Sequence, residues 1–134
     1  MAVVKREVEG VEVNPASPGS EVRRDLVGPA DGAPNFTMRQ FELRPGAATP
    51  HHSHEWEHEV LILEGAGRLL HSLGETEFRA GATVFVPPRE KHQFVNDGGS
   101  TLKFICVVPN AGHIAGLRRE EKEMLAAAGV DCEG

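Results

Sequence analysis

Glycine and proline interrupt this 134-residue chain so often that long helices are excluded over most of its length: it contains 15 glycines and 9 prolines. Turn signals separate short stretches rich in β-branched and aromatic residues. Strands are predicted at positions 3–13, 21–27, 36–43, 47–52, 57–63, 67–71, 75–79, 83–86, 92–96 and 102–108. Closely spaced short strands of this kind indicate an all-β antiparallel sandwich or barrel.

The C-terminal tail departs from this pattern. Residues 116–128 are rich in helix formers, and Gly129 stands where a helix would end. A short amphipathic helix is expected to pack on the outside of the barrel through Leu117, Met124, Leu125 and Ala128, with the charged run 118–123 facing solvent. The predicted organisation is one domain, a β-barrel over 1–112 followed by a helical tail over 113–134.

Charge and hydropathy exclude several function classes. The net charge of −6 and pI near 5.6 argue against a nucleic-acid partner, which requires a basic surface. No apolar run approaches the ~20 residues of a membrane span, and the first residues lack the apolar core of a signal peptide. A cytoplasmic protein without a membrane partner is expected. Cys106 and Cys132 are expected to be free thiols rather than a disulfide, although the sequence leaves a bridge open.

Four histidines carry the strongest chemical signal: His52, His54, His58 and His92. Neutral imidazole is a strong ligand for Mn, Fe, Co, Ni, Cu and Zn ions. A His-x-His pair on an extended segment places both rings on one face, because side chains alternate across a strand. The pattern predicts a metal site built on a β-barrel. The remaining histidines at positions 51, 71 and 113 are expected to have no metal role.

The spacing of these histidines resembles the cupin superfamily. The first cupin motif runs from Gly46 through His52 and His54 to Gly65, with His58 at the position usually held by Glu. This replacement resembles a subgroup of single-domain cupins (monocupins) that bind manganese through four histidines. Glu59 stays open as an alternative ligand to His58, since cupins tolerate three or four intervening residues.

The second motif agrees in spacing and departs at one turn. Gly81, Pro87, His92 and Asn96 stand in register, and Arg89 occupies a position where Gly is usual. The resemblance implies a cupin double-stranded β-helix, a jelly-roll barrel with its core motifs at 46–96 and a short C-terminal α-helix. It also implies one divalent transition metal per chain, with Mn favoured and Fe, Zn, Ni, Co or Cu possible.

The resemblance also implies a substrate pocket. Residues matching Arg39, Phe41, Phe104 and Cys106 line the pocket of four-histidine cupins, and Phe94 shares the parity of His92. Such a pocket is small and apolar with one cationic anchor, which suits an aromatic or unsaturated small molecule bearing an acidic group. The alternative is that the three phenylalanines are ordinary barrel core.

Three functions stay open at this point. The first is a metal-dependent, dioxygenase-like oxidoreductase, because four imidazoles on an octahedral ion leave two adjacent positions for oxygen or substrate. The second is a non-catalytic cupin that binds a small molecule or metal. The third is a sugar or sugar-acid isomerase, which needs acid–base groups, and the sequence indicates no carboxylate or Lys inside the barrel. A homodimer paired through the N-terminal strands is also expected.

Overall fold

The computed structural model describes residues 1–132 and consists mainly of antiparallel β-strands. The strands are β1 (Gly10–Glu12), β2 (Glu21–Val27), β3 (Phe36–Leu43), β4 (His58–Glu64), β5 (Ala66–His71), β6 (Gly74–Arg79), β7 (Thr83–Val86), β8 (Gln93–Val95) and β9 (Leu102–Pro109). A 3-10 turn spans Pro29–Asp31, and two α-helices follow the last strand, α1 (Asn110–Ala115) and α2 (Arg119–Ala127). The predicted all-β class with helical C-terminal segments is confirmed.

Two sheets enclose the core. One sheet has six strands in the order β1-β2-β3-β9-β4-β7, and the other has three in the order β6-β5-β8. Apolar side chains with exposures of 4 % or less fill the space between them, namely Leu43, Val60, Ile62, Val86, Phe94, Leu102, Phe104, Cys106 and Val108. The core residues from β9 are buried because side chains alternate between the two faces of a strand, so every second residue of β9 points between the sheets.

Strand register places polar and aromatic residues of β2, β3 and β9 side by side. Arg39 on β3 pairs with Cys106 on β9, and Phe41 pairs with Phe104. On the other side of β3, Glu21 of β2 pairs with Leu43. Because paired residues in an antiparallel sheet point to the same face, these side chains share the inner surface of the six-stranded sheet.

Two predicted strands are wrong in extent. Only Gly10–Glu12 of the stretch 3–13 forms a strand, and the Arg24 guanidinium donates to the Val8 carbonyl at 2.7 Å, taking an acceptor that a longer ladder would need. The stretch 47–52 forms isolated bridges at Ala48 and His52 instead of a strand. Pro50 explains this interruption, because proline has no backbone N–H to donate to a ladder.

The predicted tail helix is also corrected. A first helix, α1, forms before it, and α2 begins at Arg119 rather than at 116. Leu117 is buried as expected, but Met124 is 73 % exposed and does not pack on the barrel. None of the helices formed by residues 1–132 has the length and hydrophobicity that a bilayer crossing requires. Both cysteines are free.

Asn96 of the second motif stabilises the turn between β8 and β9. Its fully buried amide donates to the carbonyls of Leu43 at 2.8 Å and Ser100 at 2.9 Å, and its oxygen accepts from the Gly98 N–H at 3.0 Å. Asn96→Ala is expected to lower the free energy of unfolding by about 3 kcal/mol, because buried backbone groups lose their partners. Urea denaturation measures this loss.

Asn14 provides the matched control for this prediction. Its side-chain oxygen accepts a backbone hydrogen bond from Ala16 at 3.2 Å in an exposed turn. Because water can replace that bond, Asn14→Ala is expected to cost less than about 1 kcal/mol. Equal losses for the two variants would contradict a structural role for Asn96.

Candidate metal centre and its pocket

The backbone brings the four histidines together at one end of the barrel. His52 and His92 form an isolated antiparallel bridge, with backbone N–H···O distances of 3.1 and 2.9 Å. His54 follows in the same loop, and His58 is the first residue of β4. The Arg89 N–H donates to the His54 carbonyl at 2.6 Å, which ties the loop of the first motif to the turn of the second. Arg89 adopts φ 65°, the left-handed conformation that the usual Gly would adopt more easily.

The imidazole rings form a compact cluster. Ring centroids are 4.2 Å apart for His52 and His54, 4.8 Å for His54 and His58, and 5.1 Å between His92 and each of the others. Among residues 1–132, His52, His54 and His92 form a group whose ligand atoms all lie within 4.8 Å of one another. His58 lies outside that group, but its Nε2 is 2.8 Å from Nε2 of His54.

Hydrogen bonds orient two of these rings. Nδ1 of His92 lies 2.8 Å from the Glu90 carbonyl oxygen, which can only accept, so His92 carries its proton on Nδ1 and leaves the Nε2 lone pair free. Nδ1 of His58 lies 3.1 Å from the Cys106 sulfur, which turns Nε2 of His58 toward His54. Both rings therefore present Nε2 to the interior of the cluster.

Burial favours the neutral form of three of these histidines, namely His52, His54 and His58. Desolvation, followed by repulsion from neighbouring histidines, lowers the pKa of His52 to about 4. Desolvation and then His92 and Arg39 lower the pKa of His58 to about 3, and the same causes lower the pKa of His54. Neutral imidazole is the form that coordinates a metal. The donor set and its protonation therefore fit a divalent transition metal.

Glu59 does not compete with His58 for a place in the cluster. His58 is 7 % exposed and points into the barrel, whereas Glu59 is exposed on the opposite face of β4. Of the remaining histidines, His51 is exposed, His71 lies against Thr76, and His113 is a buried residue of α1. None of these three belongs to the cluster in the described part of the chain.

A cavity of about 300 Å³ opens beside the histidines. The five predicted pocket residues all line it, namely Arg39, Phe41, Phe94, Phe104 and Cys106. Phe104 stacks with Phe41 at 5.5 Å and with Phe94 at 4.7 Å between ring centroids, which makes one wall flat and apolar. The phenylalanines are therefore pocket lining, and Phe94 and Phe104 are core residues at the same time.

Helix α1 and Trp56 complete the wall. The Trp56 ring stacks on His54 with centroids 4.6 Å apart, and both residues line the cavity. Gly112 of α1 lies against this indole so closely that a Cβ atom would stand 2.8 Å from three ring atoms. The absence of a side chain at Gly112 is thus what lets α1 approach the pocket. This contact could not be predicted from the sequence, because α1 itself was not predicted.

Arg39 brings a single unpaired donor to the pocket. It is 8 % exposed, its guanidinium carbon lies 5.0 Å from the Phe41 ring centroid, and Nη2 lies 3.7 Å from the Cys106 sulfur. Its Nε has no hydrogen-bond partner in residues 1–132. Desolvation raises the pKa of the Cys106 thiol more than Arg39 lowers it, so the thiol does not pair with Arg39 as an anion. Arg39 is left able to bind an anionic ligand.

Sequence reasoning missed a carboxyl group in this pocket. Glu21 is 5 % exposed and lines the cavity together with Arg23, so the expectation that no carboxylate lies inside the barrel is wrong. Desolvation raises the pKa of Glu21 to about 7, against the opposite effects of Arg23 and Arg39. The only available signal was the period of two in β2, which puts residues 21, 23 and 25 on one face. Charges on both faces of that strand concealed it.

Comparison with known proteins gives the fold family. The cupin domain model matches residues 39–108, more than half of the chain and the part that contains all four histidines. The chain belongs to the cupin superfamily. Among solved cupin structures, the polyketide cyclase RemF from Streptomyces resistomycificus is 37 % identical, with a TM-score of 0.72 and coverage of 82 % of this chain and 80 % of that one.

Other similar proteins carry different activities in their descriptions. A sugar phosphate isomerase from Silicibacter pomeroyi is 25 % identical (TM-score 0.65; 76 % of this cupin and 71 % of that chain). A predicted oxalate decarboxylase from Thermotoga maritima is 26 % identical (TM-score 0.66; 81 % and 98 %). The cupin fold is therefore shared among proteins of different described function. The chemistry of this cupin must be inferred from the residues of its own pocket.

Proposed function

We propose that this cupin is a metal-dependent enzyme that acts on a small aromatic or unsaturated substrate bearing an acidic group. One divalent transition metal would be held by His52, His54, His58 and His92. The observation that carries the proposal is the opening of the histidine cluster into an apolar cavity that is also lined by Arg39, whose buried Nε has no hydrogen-bond partner within residues 1–132. A purely structural metal site would need neither feature.

The metal would supply Lewis acidity toward a carbonyl or phenolic oxygen of the substrate. Four neutral ligands leave the ion its full charge of +2, which favours anionic oxygen ligands over neutral ones. An ion held by four imidazoles would still have coordination positions left for a chelating substrate. Mn is the favoured ion, and Fe, Zn, Ni, Co or Cu would suit the same nitrogen donors.

The chain's own residues bind and orient the substrate in this proposal. The Phe41, Phe94 and Phe104 rings offer a flat apolar surface for an aromatic or conjugated substrate and exclude water from it. Arg39 would bind the acidic group, because a buried guanidinium with an unpaired nitrogen gains a charge-assisted hydrogen bond from an anion.

The preferred reaction class is ring closure of an enolisable carbonyl compound. The 37 % identity to RemF supports it, since that protein is described as a polyketide cyclase. Glu21 supports it as well, because its presence removes the argument against acid–base chemistry in this pocket. A dioxygenase-like oxidoreductase is the second candidate, favoured by the apolar walls beside a metal with two open positions.

The non-catalytic alternative has its own support. A curated oxalate-binding protein from Thermotoga maritima is 34 % identical over 71 residues, 52 % of this chain and 58 % of that protein.

A homodimer is also part of the proposal, because β1 leaves one edge of the six-stranded sheet open to a second copy.

One experiment separates these functions. Zinc- and manganese-loaded protein is incubated with aromatic di- and triketones that carry a carboxylate, while oxygen uptake and products are followed by electrode and mass spectrometry. Loss of water from the substrate without oxygen uptake is the expected result. Oxygen consumption would favour the dioxygenase, and binding without turnover across the panel would favour the non-catalytic cupin.

Arg39→Met tests the anionic anchor in the same assay. Loss of a charge-assisted hydrogen bond should weaken binding of a carboxylate-bearing ketone by about 10- to 100-fold, with little change for the corresponding methyl ester. Arg44→Met is the control, because Arg44 is exposed and donates to Ser17 outside the pocket. Equal losses for acid and ester would contradict the assignment of Arg39 to the acidic group.

A further inference from the structure

We propose that Glu21 is the acid–base group of this pocket and exchanges a proton with a carbon acid bound beside the histidine cluster. The inference rests on the proposed function, because it requires a ligand in the same cavity. It adds a residue that neither histidine motif contains, since Glu21 lies outside the cupin domain match at 39–108.

Geometry places the Glu21 carboxyl inside the cavity. Glu21 begins β2, and its pairing with Leu43 of β3 turns its side chain to the inner face of the six-stranded sheet. It is 5 % exposed and lines the cavity that the four histidines also line. A ligand that fills this space of about 300 Å³ would therefore meet both the histidines and the Glu21 carboxyl.

The hydrogen bonding of Glu21 argues against a structural role. Within residues 1–132 no group donates a hydrogen bond to its carboxyl. Arg23, two residues along the same strand face, is instead paired with Asp25 and Glu121 at 2.7 Å each. A buried carboxyl without a partner reduces stability, and such groups are concentrated in functional sites.

Charges around Glu21 set its protonation. Arg23 on the same strand and Arg39 on β3 both favour the carboxylate, and burial opposes them more strongly, so the pKa of Glu21 is raised to about 7. The other charged or titratable groups around the cavity are Asp25 on β2, Cys106 on β9, His113 on α1, Glu121 on α2 and the four histidines. Both protonation states of Glu21 are thus populated near neutral pH, which suits a general acid and base.

The proposed step is a simple proton transfer. The Glu21 carboxylate takes a proton from the carbon next to a ketone carbonyl, the C–H bond breaks, and its electron pair moves onto the carbonyl oxygen to give an enolate. The Glu21 carboxyl then holds this proton, exchanges it with water, and gives a proton back to carbon in the reverse step. No oxidant or reductant is needed.

Hydrogen exchange into a defined probe tests this step. The probe is 2′-hydroxyacetophenone with a deuterated methyl group, an aromatic ketone whose carbonyl and ortho-hydroxyl oxygens can chelate a metal. Proton NMR follows the return of protons to the methyl group in the presence of zinc-loaded protein. Glu21→Gln is expected to lower the exchange rate by about 100-fold or more, with zinc content and probe affinity unchanged.

Two further variants keep the result interpretable. Glu42→Gln is the matched control, because Glu42 lies on β3 outside the cavity and pairs with Arg24 at 2.8 Å. Glu21→Asp keeps an ionisable carboxyl and should recover part of the lost exchange. In a ¹³C-labelled carboxyl titration of the metal-free protein, one Glu resonance is expected to titrate near pH 7 in the wild type and in Glu42→Gln. It should be missing in Glu21→Gln.

The outcomes separate this inference from the proposed function. Exchange at the wild-type rate in Glu21→Gln would overturn the role of Glu21 and leave the metal-dependent function standing. Exchange no faster than in buffer, with zinc and probe both bound to the wild-type protein, would overturn it as well. A wild-type protein that takes up no zinc would contradict the proposed function itself, and this inference with it.

Discussion

Replacing His54 and His92 together by alanine is expected to abolish the stabilisation that a divalent metal would give to the wild-type protein. At a free metal concentration about 1,000 times the dissociation constant, a single site adds about 4 kcal/mol to the free energy of unfolding. The double variant loses two of the three residues whose ligand atoms lie within 4.8 Å of one another. Urea denaturation with zinc or manganese, against an EDTA baseline, measures the difference.

His51→Ala combined with His71→Ala is the control for this experiment. Both residues lie outside the cluster, His51 exposed and His71 against Thr76, so metal should stabilise this variant as much as it stabilises the wild type. A double variant at positions 54 and 92 that still gains the full metal stabilisation would show that the ion binds elsewhere.

Glu21→Gln is expected to stabilise the metal-free protein by about 3 kcal/mol at pH 8. The pKa of Glu21 is about 7 in the folded protein, against an ordinary value of 4.5. The folded state therefore binds the proton more tightly, and the stability that this provides is present below about pH 4.5 and lost as the pH rises through 7. Glutamine has no charge to desolvate, so the advantage of the variant should shrink to below about 1 kcal/mol at pH 5.

The free energy of unfolding of Glu21→Gln has to be compared with that of the wild type at the same pH, because the stability of both proteins changes with pH. Burial lowers the pKa values of His52 and His58 to about 4 and about 3, so the unfolded chain binds their protons first and overall stability falls as the pH drops below about 6.5. Glu42→Gln is expected to change stability in the opposite direction. Burial alone would raise the pKa of Glu42, but hydrogen bonds from Arg24 and Gln40 and the charge of Arg24 outweigh it, so the pKa is lowered. That variant should lose stability at pH 8. A Glu21→Gln variant no more stable than the wild type at pH 8 would contradict the burial of an ionised carboxyl.

Local pattern was sufficient for much of the fold. The strands β3 and β7 have the predicted bounds, because runs rich in β-branched and aromatic residues end there at clear turn signals. The stretch 47–52 was predicted as a strand as well, yet Pro50 prevents a continuous ladder. Helix α1 has no favourable composition, and it lies where Gly112 packs against Trp56. That contact joins segments distant in sequence, and no local pattern encodes it.

Some residues of the candidate site could also be predicted from local sequence, and others could not. His52 and His54 could be predicted to lie together from spacing alone, because they share a short extended segment. Bringing His92 to them required the motif resemblance, since the connection is a bridge between two separate loops. Glu21 was missed because the face to which its side chain points depends on how β2 pairs with β3, which is a tertiary contact. The cupin motifs lie within residues 46–96, so the resemblance contains no information on β2.

An anomalous difference map from zinc-containing crystals would show whether the four histidines hold an ion. One peak per chain is expected, within about 2.0–2.2 Å of an imidazole nitrogen of each of His52, His54, His58 and His92. This arrangement requires the His58 ring to move only slightly, since its Nε2 already lies 2.8 Å from that of His54. A map without a peak among these four rings, in crystals whose zinc content is established, would contradict the account.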